Sequence, residues 1–123
     1  MNQISKIISI TNQKGGVGKT TTTINLATAM VSFDQKILIV DLDPQGNAST
    51  GLGITSTKRV NNIYKALTSQ ENINNCIYKT TIPDLEIIPT TIDLSATEIE
   101  FSNLKNGINP GFSWVLRMHS RLE

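Results

Sequence analysis

Two rhythms of apolar and polar residues run along this chain. Lys6-Ile7-Ile8-Ser9-Ile10-Thr11 is short, mostly apolar and rich in β-branched residues, which predicts a strand. From Lys19 to Ser32 the residues Ile24, Ala27, Met30 and Val31 recur at spacings of three and four, one face of a helix. Lys36-Ile37-Leu38-Ile39-Val40-Asp41 is a nearly continuous apolar run, the pattern of a strand buried on both faces of a parallel sheet. Strand, helix and strand in this order form a βαβ unit, with a right-handed crossover expected.

Further along, Asp41 to Gly53 reads as a polar, glycine-rich loop. Val60 to Thr68 reads as a helix with Ile63, Ala66 and Leu67 on one side. Residues 71–82 fit neither rhythm. Leu85-Glu86-Ile87-Ile88 predicts a short strand closed by Pro89, and Thr91 to Leu104 a helix with Leu94, Ile99 and Phe101 as apolar positions. Asn106-Gly107-Ile108-Asn109-Pro110-Gly111 is a cluster of breakers, and residues 112–123 show no clear period. The fold class that follows is α/β, a parallel sheet with flanking helices.

Between the first strand and the first helix lies Gln13-Lys14-Gly15-Gly16-Val17-Gly18-Lys19-Thr20-Thr21. A loop that holds phosphate needs backbone N–H groups converging on an anion, and side chains would block that approach, so glycines are required. The helix that follows adds unpaired N–H donors and the positive end of its dipole. A lysine at the helix start supplies charge to the β- and γ-phosphates, and the next hydroxyl can ligate Mg²⁺. Gly15, Gly16, Gly18, Lys19 and Thr20 supply these parts. Thr20 to Thr23 are poor helix formers, so something other than propensity must fix the helix start, and a bound phosphate could do so. The second strand ends in Asp41-Leu42-Asp43-Pro44-Gln45-Gly46-Asn47. Ligands of open α/β sheets bind outside the carboxyl ends of the strands, and both loops leave that edge. Asp41 and Asp43 can therefore face the phosphates and orient Mg²⁺ waters or an attacking water. The competing reading has one aspartate merely capping the next turn.

Composition narrows the picture little. The 123 residues suit one domain, and a net charge of +1 gives no bulk electrostatic pointer to nucleic acid or acidic membrane. Cys76 is the single cysteine, so neither an internal disulfide nor a metal cluster can form within one chain. No apolar run approaches the roughly 20 residues that span a bilayer, and a cytoplasmic protein without a membrane partner is expected. Lys58 and Arg59 read as a solvated turn. His119 has no second histidine for a metal site, and Phe112 with Trp114 reads as exposed tail in preference to an interface patch.

The loop departs from the general pattern G-x-x-x-x-G-K-[ST], because position 13 is Gln13, and it carries an extra lysine, Lys14, at its mouth. In this it resembles the deviant Walker A loop of the MinD/ParA class of P-loop ATPases. Ile10-Thr11-Asn12-Gln13, Val40 to Ala48 and Ile87-Ile88-Pro89-Thr90-Thr91-Ile92-Asp93-Leu94 are similar to ParA proteins, especially the small Soj-like type. The resemblance runs from about Lys6 to about Leu104. It implies chromosome or plasmid partition through an ATP-driven dimer switch, with ATP and Mg²⁺ as ligands and a ParB-like partner and nonspecific DNA as associates. It implies a phosphate cradle of Lys14, Gly15, Gly16, Val17, Gly18, Lys19, Thr20 and Thr21. Within it, Lys19 contacts the β- and γ-phosphates, Thr20 ligates Mg²⁺ and Lys14 reaches the nucleotide of a partner subunit. It further implies that Asp43 positions the attacking water, that Asp41 supports the metal shell, and that Gly15 lies where two subunits approach.

Members of this class are roughly twice as long. After the stretch resembling Thr91–Leu104 they continue into another buried strand ending in an aspartate, typically followed by two prolines. No such stretch is present here, and Asp84-Leu85-Glu86 precedes a strand rather than following one. The expectation is therefore an N-terminal part of a ParA-like ATP-binding domain over 1–105, with an unmatched tail over 106–123. The chain would be a truncated or frame-shifted product whose sheet is incomplete and whose first strand lacks a neighbour. It would also lack the DNA-reading extension that precedes the first strand in longer ParA proteins. A partition ATPase switch is the leading reading. A noncatalytic remnant or phosphate-binding module is the alternative, and a MinD-like membrane switch ranks lower, because residues 107–123 lack an amphipathic basic pattern.

Overall fold

The computed structural model describes residues 5–11, 18–96 and 112–120, the last of these by backbone path. In chain order the elements are strand β1 (Lys6–Thr11), helix α1 (Lys19–Val31), strand β2 (Gln35–Asp41), helix α2 (Asn47–Gly51) and a 3₁₀ turn at Ser56–Lys58. Helix α3 (Ile63–Leu67), a second 3₁₀ turn at Ile73–Cys76, and strands β3 (Tyr78–Lys79), β4 (Leu85–Ile88) and β5 (Phe112–Ser120) follow. The strands form one sheet in the order β1-β5-β2-β4-β3.

The apolar run of β2 splits by parity between the two faces of this sheet. Ile37 and Ile39 join a core with Ala27 of α1, Ala48, Leu52 and Ile54 around α2, and Leu85 and Ile87 of β4. Leu38 and Val40 pack on the other side against Ile63, Cys76, Ile88 and Leu94. A strand covered on both faces cannot show the polar alternation of a one-sided strand, hence the continuous run. Helix α1 buries Thr23 and Ala27 completely, with Ile24, Leu26, Met30 and Val31 half-buried around them. A threonine on the core face is tolerated because its hydroxyl donates to the Lys19 carbonyl one turn back, at 2.8 Å. Helix α2 packs so close to α1 that a Cβ on Gly51 would stand 2.9 Å from Ile24 Cδ1.

Three features differ from the sequence expectations, and a fourth expectation lies largely outside the described residues. The sheet is mixed rather than parallel: β2 and β4 run parallel, while β3 is antiparallel to β4, and β5 is antiparallel to both β1 and β2. The Asp41–Gly53 loop contains α2, five residues that no periodicity could announce. The expected helix from Thr91 shows a helical turn at 94–96, and 97–104 lie outside the described residues. Most consequential is β5. The stretch without a clear period is a strand, and it supplies the neighbour that β1 was expected to lack, pairing from Lys6↔Met118 to Thr11↔Phe112 with a bulge between Ile10 and Thr11. Its other edge pairs with β2 from Gln35↔Ser120 to Asp41↔Trp114. Phe112, Trp114, Leu116 and Met118 do fall at a period of two, with Ser113, Arg117 and His119 between them. Val115 interrupts that alternation, and the preceding breaker cluster gave no reason to look for a strand.

Candidate functional site

Both β1 and β2 run antiparallel to β5, so they are parallel to each other and their carboxyl ends lie on one edge of the sheet. The end of β4 joins them there, being parallel to β2. Three segments leave this edge: the chain after Thr11 that leads to α1, the Asp41–Gly46 loop, and Pro89–Thr91. The register places Trp114 opposite both Ile10 and Asp41, so β5 enters the sheet between the two loops.

Of the candidate phosphate cradle, Lys14, Gly15, Gly16 and Val17 lie outside the described residues. Gly18 is described: it is the N-cap of α1, with φ +86°, a left-handed conformation that glycine adopts without a steric penalty. The first bond of the helix runs from the Thr22 N–H to the Gly18 carbonyl at 2.8 Å. The N–H groups of Lys19, Thr20 and Thr21 come before it, in the turn where a helix leaves its donors without intrahelical acceptors. No side chain caps this end, and no acidic residue stands in its first turn. Lys19, Thr20 and Thr21 therefore sit together in the first turn, at the positive end of the helix dipole.

The acids divide their work. Asp41 is fully buried, and both of its carboxylate oxygens are engaged. Oδ1 accepts from the Asp43 N–H at 3.0 Å, while Oδ2 accepts from the Ser49 N–H at 3.1 Å and from the Ser49 hydroxyl. Ser49 Oγ in turn accepts from the Thr90 N–H at 3.3 Å, which ties the loop to the end of β4. Asp43 is half-buried; its Oδ1 accepts from the Gln45 N–H at 3.0 Å, closing a tight turn before Gly46. Asp41 thus shapes the loop, and Asp43 is carried on it. Among the described residues no group of three or more His, Cys, Asp or Glu gathers that could hold a metal ion. A cation here would be held by phosphate oxygens, waters and the Thr20 hydroxyl, the manner in which Mg²⁺ binds beside nucleotides.

Burial raises the Asp41 carboxyl from 3.8 to about 7, and the Asp43 charge adds to that rise; the hydrogen bonds from Ser49 and Asp43 oppose it without winning. The folded chain therefore holds a proton that the unfolded chain has released between pH 3.8 and about 7. Stability from this group falls as pH rises through that window and levels off above it. The shift is worth on the order of 4 kcal/mol at about 1.4 kcal/mol per pH unit. Denaturant midpoints of the nucleotide-free chain at pH 5 and pH 8 should differ in that sense, and Asp41→Asn should flatten the difference. An unchanged slope in the variant would show that Asp41 is not the group responsible.

The sequence reading missed three residues of this edge. Ser49 and Thr90 had no visible role, and Arg59 read as part of a solvated turn. Arg59 is instead only 8% exposed. Its Nε donates to the Ile54 carbonyl at 2.8 Å, Nη1 to the Thr90 carbonyl at 3.3 Å, and Nη2 to Thr50 Oγ1 at 2.7 Å and the Gly46 carbonyl at 3.4 Å. No local pattern signals this, because its acceptors come from segments up to 31 residues away. Lys58, its neighbour, is exposed as expected.

Comparison with known proteins shows the family. A family profile described as AAA domain matches residues 5–118. The chromosome partitioning protein ParA of Caulobacter vibrioides is 48% identical over 95 residues, 77% of this chain and 36% of that protein. The sporulation initiation inhibitor protein Soj of Bacillus subtilis is 46% identical over 97 residues, 79% of this chain and 38% of that protein. The chain thus spans little more than a third of the length of these curated relatives. Among solved structures, cobyrinic acid a,c-diamide synthase from Mycobacterium smegmatis with bound ADP and magnesium superposes with a TM-score of 0.70 at 31% identity, over 76% of this chain and 38% of that one. A plasmid partition protein from Borrelia burgdorferi gives 0.61 at 33% identity, over 73% of this chain and 41% of that one. No described helix is long and apolar enough to cross a membrane. A profile that matches nearly the whole chain, with relatives named ParA and Soj at 46–48% identity, shows that the chain belongs to the AAA-domain family.

Proposed function

We propose that this chain binds Mg-ATP at the carboxyl edge of its sheet and serves as a ParA/Soj-type partition switch for a chromosome or plasmid. The observation that carries the reading is the start of α1. A 13-residue helix begins at a left-handed glycine, bears Lys19 and Thr20 in its first turn, and has no side-chain cap and no acidic residue within that turn. Such an end is arranged for an anion. Lys19 neutralises the β- and γ-phosphates, Thr20 offers its hydroxyl to Mg²⁺, and the loop of Lys14, Gly15, Gly16, Val17 and Gly18 wraps the phosphates. Asp43, carried on a turn at the same edge, orients the attacking water, and Asp41 supports the metal shell from behind by holding that turn. When bound, Mg²⁺ offsets the charge that develops on the transferring phosphoryl group.

ATP held between two copies, with Lys14 of each reaching the other, makes nucleotide state a dimer switch, and a ParB-like partner and nonspecific DNA read that switch. The relatives named for partition support this assignment. The test is Mg-ATP turnover by the purified chain beside Asp43→Ala. The expected result is a rate lowered at least tenfold in the variant with ATP affinity kept. Binding without turnover in the parent chain would instead make it a noncatalytic phosphate-binding module.

A further inference from the structure

We infer that Arg59 is a positioning residue for Asp43, clamping the loop that carries this acid against the end of β4. The inference rests on the reading that Asp43 acts on a bound nucleotide. Its guanidinium touches four places at once: the carbonyl of Gly46 just before α2, Thr50 within α2, Ile54 beyond it, and Thr90 after β4. All four acceptors are neutral. Among the described residues Arg59 has no carboxylate partner; a buried cation held in that way is costly, and an apolar side chain could fill the same volume more cheaply. What an apolar side chain cannot do is fix three chain segments against one rigid planar fork.

The contact with Gly46 makes the link to Asp43. Gly46 packs tightly against the guanidinium: with φ +65°, a Cβ there would stand 2.4 Å from Arg59 Nη1. The Gly46 N–H donates to the Asp43 carbonyl at 2.8 Å, so a shift of Gly46 moves the whole Asp43 turn. On the opposite side Asp41 and Ser49 hold the same helix start, and Ser49 meets the Thr90 N–H. Thr90 thus offers its N–H to one clasp and its carbonyl to the other. Gly18, Lys19, Thr20 and Thr21, the described residues of the candidate phosphate cradle, share none of the Arg59 hydrogen bonds. Loss of the fork should therefore disturb the acid and spare nucleotide affinity.

The test uses Arg59→Lys, which keeps the charge and loses the fork, together with Gly46→Ala, which pushes into the same contact from the other side. Site-resolved amide exchange on the nucleotide-free chain should show Gly46, Ser49 and Thr50 exchanging at least tenfold faster in Arg59→Lys, with Ile37 and Ile39 of β2 within twofold of the parent chain. Gly46→Ala should give the same pattern, and it decides the matter if Arg59→Lys fails to fold. Unchanged loop amides, or loop and strand amides accelerated alike, would overturn the inference. Where the parent chain turns over Mg-ATP, Arg59→Lys should lower kcat at least tenfold with KM within twofold, and an equal loss in affinity would overturn it as well. Failure of the parent chain to bind ATP would remove the proposed function and leave the exchange result to judge Arg59 alone.

Discussion

Leu116→Pro should abolish cooperative unfolding of the chain. Leu116 lies midway along β5, opposite Ile8 of β1 and Ile39 of β2, with a paired strand on either side. Proline there removes a ladder N–H, and its ring crowds the neighbouring backbone, so prolines are confined to sheet edges and bulges. Proline in a helix interior costs about 3 kcal/mol or more, and a lost ladder bond in mid-sheet is set against a total stability of only about 5–15 kcal/mol for a domain. The position amplifies the damage, because β5 joins β1 to the rest of the sheet and is the one strand β1 pairs with among the described residues. Loss of β5 would free β1 and with it the segment leading to α1. Leu116→Val, which keeps the N–H and a strand-forming side chain, serves as the control and should melt cooperatively. A Leu116→Pro variant with the parent midpoint would show that β5 does not hold the sheet together.

Lys19→Ala should weaken Mg-ATP binding roughly a hundredfold while leaving the fold intact. A charge-assisted hydrogen bond to phosphate is worth about twice a neutral one, and loss of a buried charged contact costs about 2–5 kcal/mol in complexes of this kind. Lys19 stands in the first turn of α1, is half-buried and lies outside both core clusters. Its replacement by alanine, the best helix former, should not unfold α1. Titration with a fluorescent ATP analogue reads the affinity, and circular dichroism reads the fold. Equal affinity in parent and variant would place the nucleotide somewhere other than the start of α1.

The sequence made β1, α1, β2 and β4 legible for a shared reason. Each has a strong local signal, either an apolar face at helical spacing or a run of β-branched residues, and burial follows that signal in α1, β2 and β4. Of the candidate site, the sequence marked Gly18 and Lys19 at the start of α1 and the paired acids after β2 by their unusual residue types, and the structure places both at the same sheet edge. Helix α2 and the role of Arg59 were not legible, because tertiary bonds create them. Ser49 looks unremarkable until Asp41 accepts from it eight residues away, and Arg59 looks like a surface cation until Gly46, Thr50 and Thr90 close around it. Strand β5 was missed for another reason: Val115 broke its alternation, and its partners stand about a hundred residues upstream for β1, a pairing that local patterns cannot report.

The measurement that bears most directly on the central claim is the thermal melt of the purified chain with and without Mg-ATP at a hundredfold excess over its dissociation constant. Binding confined to the folded state should add about 2.7 kcal/mol, which for a domain near this size raises the melting temperature on the order of 10 °C. A rise of that size means the described edge, with Lys19, Thr20 and Asp43, forms a working phosphate site. A cooperative melt that Mg-ATP leaves unmoved would contradict the claim.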